Sequence, residues 1–388
     1  MMSNNHSMTI GIDVRCLMHK NYSGVAEYTY NLLTHLFKAD TQNSYKLFYN
    51  SKANVSATLP KFDQSNVKYQ GFEYPNKLLN LSFKFFNYPK IDQLIKGADN
   101  FFLPNLIFSA ISSNCQKIIT IHDLSFELFP NFFSYKRNLW HKIINPQKII
   151  NNCDKIIAVS QNTKNDLINL YDIPADKIEV VYSGVDQQLY NKINEQTKFK
   201  LIKEKYKLPD DFILYLGTIE PRKNIEGIIQ AFNLFKEKNK KFKNLKLIIA
   251  GDKGWKYKKV FDLAQKSPYK QDIKFIGYVS RQDKPLLYNL AKIFLFPSFY
   301  EGFGLPVLEA QACGTPVIAG LNSAFPEILK NSALLVNPDN LNEITQAIKE
   351  LLTEQALYQE LITKGFDNIQ NFNWDKTAQE TLKILKSQ

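Results

Sequence analysis

At 388 residues the chain is too long for one ordinary compact domain, so length favours two domains or one large one, with material for sizeable cores. Hydrophobic residues at 44% and charged residues at 22% suit a folded protein and exclude a disordered, collagen-like or coiled-coil chain. The 49 Lys and Arg outnumber the 37 Asp and Glu, a net charge of +12 that attracts anions such as nucleotides, phosphates, nucleic acid or acidic lipid. A general bias toward Lys, Asn, Ile, Phe and Tyr offers a second explanation of that surplus. Cys16, Cys115, Cys153 and Cys313 lie far apart without CxxC or Cys/His metal spacing, so they read as reduced, mostly buried thiols of a cytoplasmic protein. The start, MMSNNHS, is polar and carries no apolar signal segment, and no apolar run approaches the roughly 18 residues of a membrane span. A soluble or peripheral protein is expected.

Short apolar runs alternate with helical spacing along the chain, the pattern of parallel α/β layers. In the first half TIGIDV (9–14), YKLFYN (45–50), KIITI (117–121), KIIAV (155–159) and IEVVY (178–182) read as strands. Helical spacing falls over 25–37, 135–150 and 162–171. A charged stretch after SGVD, over 183–209, separates the halves, with a junction near residue 190. In the second half FILYLG (212–217), LKLIIAG (245–251), IKFIGY (273–278), IFLFP (293–297), PVIAG (316–320) and ALLV (333–336) read as strands. Helices are expected over 225–236, 285–290, 305–312 and 343–352. The fold class is therefore α/β, two doubly wound domains facing a cleft, with ligands at the carboxyl ends of the strands.

The loops at those ends are distinctive. After 212–217 comes GTIEPRKN, in which Arg222 and Lys223 sit beside a helix start, two cations next to unpaired N–H groups and hence an anion-binding corner. Taken alone, an exposed basic pair is the commoner explanation. After 293–297 comes PSFYEGFGLPVLEAQACGTPVI, where Gly302 and Gly304 allow a tight turn into a helix beginning near Leu305 and Pro306. Glu301 precedes that turn and Glu309 lies about a turn inside the helix, so the two carboxylates address different sides of a ligand, or else merely cap and solvate the helix.

The Glu301–Glu309 spacing within EGFGLPVLEAQACGTPVI, following GTIEPRKN and IAGDKG, resembles the retaining nucleotide-sugar glycosyltransferases of family 4, which have the GT-B fold. GIDVR and SGVAEYTYNLL near the start, HDLSFELFP from His122, IIAVSQNTKNDL (156–167), VVYSGVD and FIGYVS (275–280) extend the resemblance over nearly the whole chain. It implies an acceptor-binding Rossmann-like domain over 1–190, a donor-binding one over 191–370, and a helix over 371–388 packing back on the first. It implies further that Arg222 and Lys223 hold the donor diphosphate and steady the leaving group. Phe303, Gly304 and Leu305 would touch donor sugar and phosphate through their backbone, Glu301 would orient the hexose and Glu309 would bind ribose hydroxyls. Gly217 belongs to the same phosphate loop, Val279 marks the base site, Gly24 begins a helix directed at the diphosphate, and His122 contacts the reacting sugar. Two positions depart from the usual pattern: Ser23-Gly24 stands for a Gly-Gly pair, and Ser183 for a more usual Asn.

No tightly bound metal or other cofactor is implied, since the basic pair substitutes for one. The HDLSFELFP and GIDVR segments look most like bacterial mannosyltransferases of surface-polysaccharide and lipopolysaccharide assembly. The donor expected is GDP-mannose, with a UDP-sugar open, and the acceptor a glycan or polyprenyl-diphosphate-linked oligosaccharide. A non-hydrolysing sugar-nucleotide epimerase of the same fold and a catalytically silent binding protein are the alternatives. His6, His19, His35 and His141 are scattered, Tyr28 and Tyr30 read as core, and the lysines over 236–246 as a solvated helix end, so no nucleic-acid partner is expected. The aromatic and basic stretches LSFKFFNYPK (81–90) and LFPNFFSYKRNLWHK (128–142) suit either a packed helix or peripheral contact with the inner face of the plasma membrane.

Overall fold

The sequence folds into two units, each built on one parallel sheet, in a computed structural model that describes residues 7–387. The polar start of the chain and His6 lie outside the described residues. Unit 1 comprises the chain through Leu124, Lys136–Gly184 and the end from Trp374; unit 2 comprises Ser125–Tyr135 and Val185–Asn373.

Unit 1 holds β1 (Thr9–Asp13), β2 (Ser44–Asn50), β3 (Val67–Phe72), β4 (Asn100–Leu103), β5 (Gln116–Ile121), β6 (Lys155–Ala158) and β7 (Ile178–Val180) in the order β3-β2-β1-β4-β5-β6-β7. The strands β3 and β4 add to those the sequence suggested. Only four residues long, β4 is buried throughout and sits between β1 and β5, so its identity comes from its neighbours rather than from its own pattern. Helical spacing over 135–150 resolves into two helices, Tyr135–Ile144 and Pro146–Asn151. Pro146 lacks the N–H that a continuous helix needs, and Asn145 turns left-handed (φ 55°) and caps the second helix through Lys148 N. The helix Gly24–Ala39 starts from Ser23, whose Oγ accepts from Ala26 N, and the last helix, Trp374–Lys386, packs on it with Trp374 and Tyr28 rings 5.9 Å apart.

Unit 2 holds β8 (Phe212–Leu216), β9 (Lys246–Ala250), β10 (Ile273–Gly277), β11 (Ile293–Phe296), β12 (Val317–Gly320) and β13 (Leu334–Val336) in the order β10-β9-β8-β11-β12-β13. Helices cover both faces of such a sheet, so its central strands read as unbroken apolar runs, and β8 is buried along its whole length. Although early in sequence, Ser125–Tyr135 is held in this unit. Trp255 Nε1 donates to Phe132 O at 2.6 Å, Phe133 stacks on Trp255, and Phe132 stacks on Phe299.

Strand order reverses between β1 and β4 in unit 1 and between β8 and β11 in unit 2. Loops leaving two such strands diverge and open a crevice at the carboxyl edge. All four cysteines are free, and burial pushes the Cys16, Cys115 and Cys153 thiols up to about 12, which keeps them protonated and unreactive. Among the described residues no helix is long and apolar enough to cross a membrane, and no His, Cys, Asp or Glu group is arranged to hold a metal.

Candidate active site

The loop leaving β8 is fixed before any ligand enters. Gly217 N donates to Ala250 O, and Gly251 adopts φ 136° with Gly217 O in the space a Cβ would need, so two strand-end loops pass backbone to backbone. Pro221–Lys223 makes a single 3-10 turn, and Asn224, left-handed at φ 55°, caps the helix Ile225–Lys238 by accepting from Gly227 N. The Asn224 amide also donates to Pro297 O at 3.2 Å and Pro338 O at 2.7 Å, tying three loops together.

Arg222 and Lys223 are not an exposed pair. Their side chains are 14% and 12% exposed, and both meet Glu301, brought from the loop after β11. Lys223 Nζ donates to Glu301 Oε1 at 2.5 Å; Arg222 Nη1 donates to Glu301 Oε2 at 3.1 Å and to Tyr300 O at 2.7 Å. On its other side Arg222 pairs with Glu220, 3.0 Å away and 4% exposed. Two backbone links hold the carboxylate loop in place: Phe299 N donates to Arg222 O, and Glu301 N donates to Ser323 Oγ. Burial pushes the Lys223 ammonium below its ordinary value, against the pull of Glu301. Burial alone would raise the Glu301 carboxyl, but Arg222 and Lys223 outweigh it and bring it below its ordinary value.

Gly304, left-handed at φ 99°, leads into the helix Leu305–Ala312 with Pro306 in its first turn. The N–H groups of Gly304 and Leu305 have no hydrogen-bond partner among the described residues, so this turn presents donors suited to an anion. Phe303 is buried, its ring edge-on to Phe372 at 5.8 Å. Glu309 neither caps nor solvates the helix: it is 8% exposed, and Tyr288 Oη donates to its Oε2 at 2.9 Å while Oε1 has no partner among the described residues. Gly277, the last residue of β10, takes φ 72°, and just beyond it Val279 buries its side chain, whereas the Val279 backbone N–H and C=O are unpartnered among the described residues.

In unit 1 the candidates follow β1 and β5. A Cβ placed on Gly24 would meet nothing within 4 Å, so unit 1's own packing does not demand glycine there. His122 Nε2 lies 2.9 Å from Pro104 O; a carbonyl only accepts, so Nε2 carries the proton and Nδ1 keeps a lone pair. Burial holds the imidazole below its ordinary pKa and hence neutral at pH 7, and Tyr28 packs edge-on against it at 4.7 Å. The structure thus bonds Arg222 and Lys223 each to Glu301 and places Gly217, Val279, Phe303, Gly304, Leu305 and Glu309 on strand-end loops or the helix following them in the same unit; His122 and Gly24 belong to the other unit. Sequence reasoning assigned no role to Glu220, Asn224 or Tyr288. The first two stand inside GTIEPRKN, where a carboxylate two residues before Arg222 and an Asn before a helix are visible signals.

Residues 22–189 match the family model described as Glycosyltransferase Family 4, and residues 196–367 match Glycosyl transferases group 1. The chain belongs to these glycosyltransferases, and its two doubly wound sheets are those of the GT-B fold. Among its relatives it is similar to the O-antigen chain mannosyltransferase B of Escherichia coli, 29% identical over 74% of this chain and 72% of that protein. It is 33% identical to the serotype-specific mannosyltransferase WbdA of Escherichia coli over 58% of this chain, a match that spans only 28% of the length of WbdA. Anabaena HepE, solved in complex with UDP-glucose, superposes with a TM-score of 0.75 over 98% of this chain and 100% of its own, at 18% identity, a likeness of fold alone. The chain is an enzyme of glycosyl transfer, and these relatives do not favour the epimerase or silent-binding alternatives.

Proposed function

We propose that this protein transfers mannose from GDP-mannose to a growing glycan or polyprenyl-diphosphate-linked oligosaccharide on the cytoplasmic side of the membrane, with retention at the anomeric carbon, in surface-polysaccharide synthesis. The buried Arg222–Lys223–Glu301 cluster carries the reading, because its two cations meet on Glu301, three residues before the unpartnered N–H group of Gly304 at one helix start. The relatives named as O-antigen mannosyltransferases support mannose as the sugar.

In this reading unit 2 binds the donor and unit 1 the acceptor. The bond between C1 and the β-phosphate oxygen breaks as the acceptor oxygen bonds to C1 on the same face, and the acceptor's proton passes to the departing diphosphate. Negative charge grows on that diphosphate, where Arg222, Lys223 and the Gly304 and Leu305 N–H groups meet it. Glu309 Oε1 accepts from ribose hydroxyls, the Val279 backbone pairs with the base edge, and His122 Nδ1 accepts from a hydroxyl of the transferred sugar. Gly24 leaves room for the diphosphate. Glu301 positions the two cations and orients the hexose.

A thermal-shift panel of GDP-mannose, UDP-glucose and UDP-N-acetylglucosamine tests the donor, since a ligand at 100 times its Kd stabilises by about 2.7 kcal/mol. GDP-mannose is expected to raise the melting temperature most, and the product's anomeric coupling to match the donor's. A shift with UDP-sugars only removes GDP-mannose; no shift with any nucleotide sugar removes the whole reading.

A further inference from the structure

The helix Asn76–Phe86 of unit 1 has two apolar faces. Leu79 and Phe83, one turn apart and each 4% exposed, anchor it in the core. At about 100° per residue, Leu78, Leu81 and Phe85 line up on a second stripe pointing well away from that anchor. They are 63%, 49% and 66% exposed, and Phe86 and Tyr88 continue the patch at 78% and 63%. Lys77 and Lys84 border the stripe, with Lys84 Nζ 5.0 Å from the centre of the Phe85 ring.

Within the two stretches that carry it the charges have one sign, with Glu73 and the buried Asp92 flanking the first and Asp154 following the second. Residues 74–91 contain Lys77, Lys84 and Lys90 and no carboxylate; residues 136–153 contain four more cations and again none. The two stretches are neighbours, because a cavity of about 260 Å³ is lined by Asn87 from one and by Ile149 and Asn152 from the other. A larger polar cavity of about 500 Å³ begins at the same Asn87 and is lined by Lys90, Lys117 and Ser113. Neither lysine has an ion-pair partner among the described residues.

We propose that 76–90 is an interfacial anchor that lies in the headgroup layer of an anionic bilayer, its Leu/Phe stripe at the acyl boundary and its lysines at phosphate level. The helix is too short to span: 11 residues reach about 16 Å, against about 30 Å of hydrocarbon. Charge decides the partner. A second copy of this chain would bring cations against cations with no carboxylate inside either stretch to relieve them, whereas anionic lipid supplies the missing sign and an apolar layer beneath it. The inference does not depend on the identity of donor or acceptor.

Sedimentation of the full chain with phosphatidylcholine vesicles, and with phosphatidylcholine–phosphatidylglycerol vesicles, tests it. Binding to the mixed vesicles alone is expected, weakening with salt. Lys77→Gln and Lys84→Gln should each lower the partition coefficient about fivefold, and Phe85→Ser with Phe86→Ser by about tenfold or more. These side chains are already exposed, so melting temperatures should stay at the wild-type value. The proposal is overturned if wild type stays in the supernatant with mixed vesicles, binds both vesicle types equally, or partitions no better than the Phe85/Phe86 variant. A wild-type dimer that this variant dissolves, without vesicle binding, makes the patch a self-interface and overturns it too.

Discussion

Removing the two partners of the Lys223–Glu301 pair should have unequal consequences. Glu301→Gln keeps the volume but leaves Lys223, 12% exposed, with no carboxylate at ion-pair distance among the described residues. Breaking a buried pair in this way costs about 3–5 kcal/mol, or about 6–20 °C of melting temperature for a domain of this size. Lys223→Ala is gentler, because Glu301 keeps Arg222 at 3.1 Å and Arg222 keeps Glu220 at 3.0 Å. What goes is one charged hydrogen bond, about 1.5–3 kcal/mol, and the ammonium 4.9 Å from the Phe296 ring centre. In the double variant the unpaired ammonium is gone. Adding Lys223→Ala to Glu301→Gln should therefore raise the melting temperature rather than lower it. Turnover should run the other way, with Lys223→Ala losing about 10²–10³-fold although it is the more stable single variant. Calorimetry and initial rates on the four proteins measure both. A double variant that melts below Glu301→Gln by the full Lys223→Ala decrement, or a Lys223→Ala enzyme with wild-type turnover, refutes the reasoning.

Three more outcomes follow from the same geometry. A carboxyl depressed on folding contributes stability that is complete above its unfolded value and lost as pH falls through the folded one, so wild type should lose melting temperature below about 4.5 more steeply than Glu301→Gln; parallel acid limbs would contradict this. Gly24→Val should change stability by no more than about 0.5 kcal/mol yet raise KM for the nucleotide sugar, since only a ligand needs the space; an unchanged KM would place the donor elsewhere. Asn224→Ala removes a helix cap and two donors to loop carbonyls and should cost about 2–4 kcal/mol by denaturant titration, whereas a loss near zero would mean the three loops hold without it.

What the sequence reveals depends on how local each feature is. Strands such as β8 and β11 are apolar throughout and bounded by polar residues, so their own composition declares them. By contrast β4, at four residues, is a strand because β1 and β5 flank it, a fact that no window on the sequence contains. The break at Asn145 is carried by the Asn-Pro pair, which the run of helical spacing over 135–150 hides. The cluster stands at the other extreme. Lys223 and Glu301 are 78 positions apart, and only the resemblance to a family linked them, while the burial that turns them from surface charges into a coupled pair is a tertiary fact. Likewise Tyr288 meets Glu309 across 21 positions, and nothing near either residue announces it.

The surplus of positive charge divides differently from what the motifs suggest. The cluster holds Arg222 and Lys223 against Glu220 and Glu301, so its formal charge is zero. A diphosphate reaching it exchanges for contacts that Glu301 already makes rather than filling a bare cationic hole, and buried pairs are little screened by salt. The seven cations of 74–91 and 136–153, without a carboxylate among them, are more than half of the net +12. Most of those side chains are exposed, where screening acts fully over about 10 Å at 0.1 M salt. Raising salt should therefore leave the Kd for the nucleotide sugar within about a factor of three while it releases the protein from anionic vesicles. Isothermal titration and sedimentation at matched salt concentrations compare the two directly. Equal salt sensitivity would mean that the surplus charge serves the donor after all, and the assignment of charge to the helix Asn76–Phe86 and its neighbours would have to be withdrawn.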